Sequence, residues 1–213
     1  MQNVRRTQDT GDQCLENFQN KRIKNFQNNK TPDNDGIPIE FYGKFWSLIS
    51  ESYVRCANEC FERGEVTRSQ KQAVITLIEK KGKDRFLLEN WRPISLVNVD
   101  AKIMSKVIAS RIKNVLPYII YHNQPGYVKD RFIGETIRSI FDIIALSVSE
   151  NIPGLLLFID YQKVFDSVEW NFLYESLKMF NFGEKFLRWV KTFYNNIQSC
   201  VRNNGTVTID RII

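Results

Sequence analysis

Apolar positions along the 213-residue chain fall into a sequence of helical and extended patterns. From Ile39 to Arg63 they recur at helical spacing, with Phe41, Phe45, Trp46, Ile49 and Tyr53 along one side, and Gly64 is a natural stop. The β-branched run from Gln72 to Ile78 predicts a strand. A charged turn, Lys80 to Arg85, and a second run from Arg92 to Val97 complete a hairpin. Val99 to Leu116 predicts a helix through Ile103, Met104, Val107, Ile108, Ile112 and Val115, with Pro117 ending it.

A polar loop containing residues 124–131 leads to a helix over about Gly134 to Glu150, striped by Ile137, Ile140, Phe141, Ile144, Ala145 and Val148. Pro153-Gly154 then turns the chain into Leu155 to Asp160. This run is apolar on both faces, so a central strand is expected. Helices follow over about Glu169 to Phe180 and Glu184 to Asn195, with Gly183 between them. A hairpin around Asn203-Asn-Gly205 closes the pattern. Residues 1–30 are rich in Asn and Gln, and keep only a rough helical spacing through Leu15, Phe18, Ile23 and Phe26. No internal repeat or long linker interrupts the series.

Composition adds little to this picture; charge adds more. With 43% hydrophobic and 13% aromatic residues, the chain has material for a core, which argues against wholesale disorder. The net charge is +6, yet between Arg63 and Arg138 there are 15 basic and 7 acidic residues. The whole positive excess therefore lies in the middle third, as on a surface facing phosphate, although a solvated basic face has the same signature. Cys56 and Cys60 stand four apart on a predicted helix, but no second Cys/His pair has zinc-site spacing, so they read as partly buried thiols. The few cysteines suit a reducing, intracellular setting. Neither a signal peptide nor a transmembrane run is expected, since the most apolar stretch, Leu155 to Ile159, is far too short.

The candidate chemistry lies in residues 156–170. Asp160 ends an apolar strand, where a carboxylate is costly unless paired, hydrogen-bonded or coordinating a cation, and Asp166 follows six residues on. Carboxylate oxygens at a strand end suit Mg²⁺, as in two-metal phosphoryl transfer. From the pattern alone, a simple turn cap at Asp160 is the commoner explanation.

This segment resembles the first catalytic motif of reverse transcriptases, in the wording used by LINE-type non-LTR retrotransposons. Three upstream stretches agree in order. Residues 30–42 are similar to the family's N-terminal extension motif, 75–96 with Asn90-Trp-Arg-Pro-Ile-Ser-Leu96 to its fingers motif, and 124–131 to its template-side motif. The resemblance implies an α+β fold, the fingers and partial palm of a right-hand polymerase. Fingers would span about 30–150 and the start of the palm about 151–213, behind a partly ordered extension over 1–29.

The resemblance also implies roles. Asp160 would be the catalytic metal-binding aspartate, and the Tyr161 backbone carbonyl a second ligand for Mg²⁺. Phe165 would lie under the incoming sugar and select dNTPs, with Asp166 structural beside it. Lys80 and Arg92 would grip the triphosphate, and Gln124, Gly126 and Arg131 would contact nucleic acid. RNA template, DNA primer and dNTP are the implied partners. Departures from the family pattern are Asp33 and Asp130 where glycine is usual and Glu79 where proline is usual. Asp130 would then sit in a left-handed conformation at some cost in strain.

The family completes its metal centre with a Tyr/Phe-x-Asp-Asp hairpin, and these 213 residues hold no Asp-Asp pair. On that reading the chain is truncated before the catalytic hairpin and is expected not to polymerise alone. A non-catalytic RNA-binding remnant and a group II intron maturase-like fragment are the competing expectations.

Overall fold

The computed structural model describes residues 26–30, 32, 34–161, 167–203, 206–207 and 211–212. The chain is mixed α and β, and divides into two units, one of residues 1–108 with 182–213 and the other of residues 109–181.

The first unit is built on helix α1, Ile39–Arg63, which ends at Gly64 with φ 72°. That left-handed turn lets the Gly64 N–H return to the last helical carbonyls, which a residue with a Cβ does less easily. Strands β1 (Gln72–Glu79) and β2 (Trp91–Val97) form the expected antiparallel hairpin, with Val74 opposite Leu96 and Ile78 opposite Arg92. A one-turn helix α2, Arg68–Lys71, precedes β1. The Thr67 N–H donates to Gln70 Oε1 at its start.

Helix α3, Val99–Ile119, begins in this unit, and α6, Glu184–Tyr194, returns to it. Two apolar clusters hold these helices together. Ile39, Tyr42 and Trp46 of α1 meet Val99 and Ile103 of α3. Further along α1, Ala57 and Cys60 meet Met104 and Trp189. The expected side of α1 packs into the core at Trp46, Ile49 and Tyr53, but at the helix start Tyr42 is covered in place of Phe41 and Phe45, which are exposed.

The C-terminal hairpin is present as β3, Gln198–Asn203, antiparallel to β4, Thr206–Val207. It joins the first hairpin: β3 lies parallel to β1, pairing Gln72 with Gln198 through Ile75 with Val201, and β5, Arg211–Ile212, pairs β3. The sheet order is β2-β1-β3-β4. Val74 and Cys200, a paired position at its centre, are each 1% exposed. Beyond Ile75 no described residue of β3 pairs with β1, so among the described residues the outer half of the first hairpin is two-stranded.

The second unit holds the end of α3, helix α4 (Ile133–Ser149) and helix α5 (Trp170–Met179). Three expectations need correction here. Helix α3 runs through Pro117 to Ile119; the Pro117 carbonyl in its last turn and the Ile120 carbonyl just beyond accept from an arginine side chain, described below, which closes the helix end. The α4 stripe is at its expected spacing but faces solvent, with Phe141 66% and Val148 77% exposed. Residues 155–160 form no strand. They are irregular and exposed, because among the described residues no strand pairs with them and an unpaired strand leaves its backbone groups unsatisfied. No helix among the described residues is long and apolar enough to cross a membrane.

Candidate nucleic-acid and nucleotide site

The β1–β2 hairpin brings Lys80 and Arg92 together. Arg92 faces Ile78 across the ladder, and the Lys80 N–H donates to the Asn90 carbonyl at 2.9 Å, extending the pairing one step beyond β1. Side chains alternate along a strand, so Lys80, Ile78 and Arg92 share a face. Diagonal neighbours of this kind lie about 7–8 Å apart. Burial falls along this face toward the tip: Val74 is covered, while Ile78 and Ile94 are 47% and 39% exposed. Arg92 is exposed as well.

The connection between the strands is closely hydrogen-bonded. Gly82, at φ 72°, makes the left-handed turn that lets the Lys83 N–H reach the Lys80 carbonyl. Asp84 Oδ1 accepts from the Phe86 N–H, and the Asp84 carbonyl accepts from Asn90 Nδ2 at 2.8 Å. Trp91 Nε1 donates to the Arg85 carbonyl, and Lys80 Nζ to the Glu89 carbonyl at 2.7 Å. Glu79, at the usual proline position, forms an ion pair with Arg85 at 3.3 Å. This network is not predicted from the sequence, although Asp84 in a polar turn after Gly82 is a residue type that forms Asx turns.

In the second unit, Gln124, Gly126 and Arg131 share one loop. Arg131 Nη1 donates to the carbonyls of Tyr121 (2.6 Å) and Gln124 (2.8 Å), and Nη2 to those of Pro117 (3.1 Å) and Ile120 (2.8 Å). The guanidinium thus closes the C-terminal end of α3, where orphan carbonyls and the helix dipole favour a cation. Val128, 8% exposed, anchors the loop. A Cβ on Gly126 would lie 3.5 Å from Gln124 Nε2, an ordinary contact, so the loop's own packing does not demand glycine. Asp130 has φ 62°, the left-handed conformation anticipated for a glycine position.

Asp160 and Tyr161 lie on the exposed irregular stretch. Phe165 and Asp166 lie outside the described residues. No group of three or more His, Cys, Asp or Glu among the described residues is arranged to hold a metal. Asp160 and the Tyr161 carbonyl therefore do not by themselves fit a Mg²⁺ centre.

A family described as reverse transcriptase (RNA-dependent DNA polymerase) matches residues 78–211. The chain belongs to the reverse transcriptase family. That match takes in the hairpin from Ile78 onward, the Arg131 loop and Asp160. The transposon TX1 uncharacterized 149 kDa protein of Xenopus laevis is 35% identical over 180 residues, 84% of this chain and 14% of that protein. The putative 115 kDa protein in type-1 retrotransposable element R1DM of Drosophila melanogaster is 24% identical over 189 residues, 88% of this chain and 18% of that one. A probable RNA-directed DNA polymerase from transposon BS of Drosophila melanogaster is 26% identical over 145 residues, 67% of this chain and 16% of that one. The transposon affiliation read from the motifs thus holds. The chain spans less than a fifth of the length of each of these relatives.

Proposed function

We propose that this chain forms the fingers and the first part of the palm of an RNA-directed DNA polymerase, with the β1–β2 hairpin meeting the triphosphate of an incoming dNTP. The observation that carries this reading is the hairpin register, which sets Lys80 and Arg92 on one face at the exposed, two-stranded end of the sheet. A guanidinium grips phosphate through two parallel hydrogen bonds, and an ammonium beside it adds a compact charge. Gln124 and Gly126 face template and primer, with Arg131 holding their loop in shape. Asp160 and the Tyr161 carbonyl supply some donors of a Mg²⁺ centre. The described residues do not complete that centre, and the 213 residues contain no Asp-Asp pair.

The test is equilibrium binding of a fluorescent dATP analogue to the 213-residue chain. Arg92→Ala and Lys80→Ala are each expected to weaken binding about tenfold, the loss of one charge-assisted contact. Arg92→Lys should recover only part, because the fork is lost. Unchanged affinity in both alanine variants sinks the hairpin assignment. In primer extension the chain alone is expected to yield no product; synthesis abolished by Asp160→Ala would show a complete centre within these residues.

A further inference from the structure

Lys80 and Arg92 carry like charges on one face of the hairpin, so they repel each other until an anion arrives. A polyphosphate finds them in place only when the backbone beneath them is fixed beforehand. Otherwise part of its affinity is spent on ordering two long side chains. The bonds that fix this backbone converge on an uncharged residue. Residues 81–89 at the hairpin tip are all exposed, and Asn90 behind them is half-buried.

Asn90 reaches three separate pieces of the tip. Its carbonyl accepts from the Lys80 N–H at 2.9 Å, tying it to the chain just beyond β1. Its N–H donates to the Leu87 carbonyl at 3.0 Å, at the end of the single 3₁₀ turn Leu88–Asn90. Its Nδ2 donates to the Asp84 carbonyl at 2.8 Å, which binds that turn to the one before it. For Lys80 the consequence is direct. The peptide group that presents the Asn90 N–H to Leu87 also presents the Glu89 carbonyl, and that carbonyl accepts from Lys80 Nζ at 2.7 Å. Because a peptide group is planar, fixing its N–H fixes the carbonyl on which the ammonium rests. An ammonium has three donors, so the bond to Glu89 leaves two for phosphate oxygens. For Arg92 the consequence runs through Trp91, whose N–H donates to the Leu88 carbonyl and whose indole donates to the Arg85 carbonyl at 2.9 Å. Arg92 follows the same knot by two residues, on the opposite strand.

We propose that Asn90 is a positioning residue for the triphosphate site: without touching the nucleotide, it holds Lys80 and Arg92 at the spacing in which both meet one polyphosphate. The inference rests on the reading of that face as the dNTP site, and adds to it an uncharged residue on which both cations depend. A turn closed for the sake of the fold alone would lower stability and leave phosphate affinity uncoupled from Arg92.

The experiment is competition of inorganic triphosphate against the fluorescent dATP analogue on the 213-residue chain. Asn90→Ala should weaken both ligands about three- to tenfold, the range expected when a long side chain must be ordered on binding. In the Arg92→Ala background the same substitution should cost a clearly smaller factor, because one of the two side chains it positions is gone and such effects do not add. Amide exchange should quicken at Lys80 and stay slow at Ala73 to Ile75, which pair with both β2 and β3. Native affinity in Asn90→Ala, an equal loss in the native and Arg92→Ala backgrounds, or lost protection reaching Ala73 to Ile75 overturns the positioning role, even where Arg92→Ala alone weakens binding. Unchanged affinity in both Arg92→Ala and Lys80→Ala overturns the underlying reading of the face instead.

Discussion

Replacing Arg131 by alanine separates two roles that the sequence leaves open, a phosphate contact and a structural clasp. In the structure the guanidinium donates to four backbone carbonyls between 2.6 and 3.1 Å, that of Pro117 in the last turn of α3 and those of Ile120, Tyr121 and Gln124 just beyond it. Hydrogen bonds to a charged group contribute about 1.5–3 kcal/mol each when well shielded. Two of these are exposed and two part-buried, so about 0.5–1 kcal/mol each is reasonable, giving about 2–4 kcal/mol for the clasp. Removal should fray the turn that carries α3 beyond Pro117 and release the loop at 124–131.

Amide hydrogen exchange across residues 117–131 reads this directly. At about 1.4 kcal/mol per tenfold, protection there should fall about 30- to 700-fold in Arg131→Ala, with exchange in β1 unaffected. Arg131→Lys should recover little, since one ammonium has three donors and cannot span four carbonyls. A phosphate ligand behaves differently. Its loss leaves exchange unchanged and lowers the salt slope of RNA binding by about one. That outcome would refute the clasp.

How much of this was legible in advance depends on the range of the interactions concerned. Helix α1 and the β1–β2 hairpin were readable because their determinants are local: Gly64 ends one, and a charged turn with a Gly closes the other. Hence the placing of Lys80 and Arg92 on one hairpin was within reach of the sequence. The parallel pairing of β1 with β3 joins Gln72 to Gln198, and no nearby residue announces it. Pro117 predicts a stop, and the side chain that closes the helix end there lies fourteen residues downstream, at Arg131. Periodicity in α4 gave the residues that share a face, but not what lies against that face, and the apolar run 155–160 fails as a strand for the same reason. The proposed metal centre shares this limit. A carboxylate at Asp160 is visible in the sequence, whereas its partners are a matter of long-range assembly.

Two further predictions concern the interior of the first unit. Cys60 is 3% exposed and burial pushes its thiol up to about 11, so at pH 8 iodoacetamide should label Cys56 well before Cys60 in the native chain; comparable rates by peptide mass mapping would contradict that burial. Tyr53 tests the packing of α1 on α3. Its hydroxyl donates to the Asp100 carbonyl at 2.7 Å, and Gln70 Nε2 donates to the Asp100 carboxylate at 2.7 Å, tying the turn before β1 to the same point. Burial first, and the nearby Asp100 charge second, raise the Tyr53 pKa far above its ordinary value near 10. The unfolded chain can release that proton above about pH 10 while the folded one holds it, so in that range the folded state binds more protons and stability falls as pH rises. Below the unfolded value both states are protonated and the effect vanishes. Tyr53→Phe should therefore cost about 0.5–1.5 kcal/mol at pH 7 from the lost hydrogen bond, yet show a shallower decline between pH 10 and 11.5 in urea melts. Tyr42, pushed up to about 12 mainly by burial, shares the α1–α3 cluster and should retain its own part of the decline in that variant. A native slope and a Tyr53→Phe slope that coincide would mean that the hydroxyl ionises as freely in the folded chain as in the unfolded one, and the buried Tyr53–Asp100 contact would have to be abandoned.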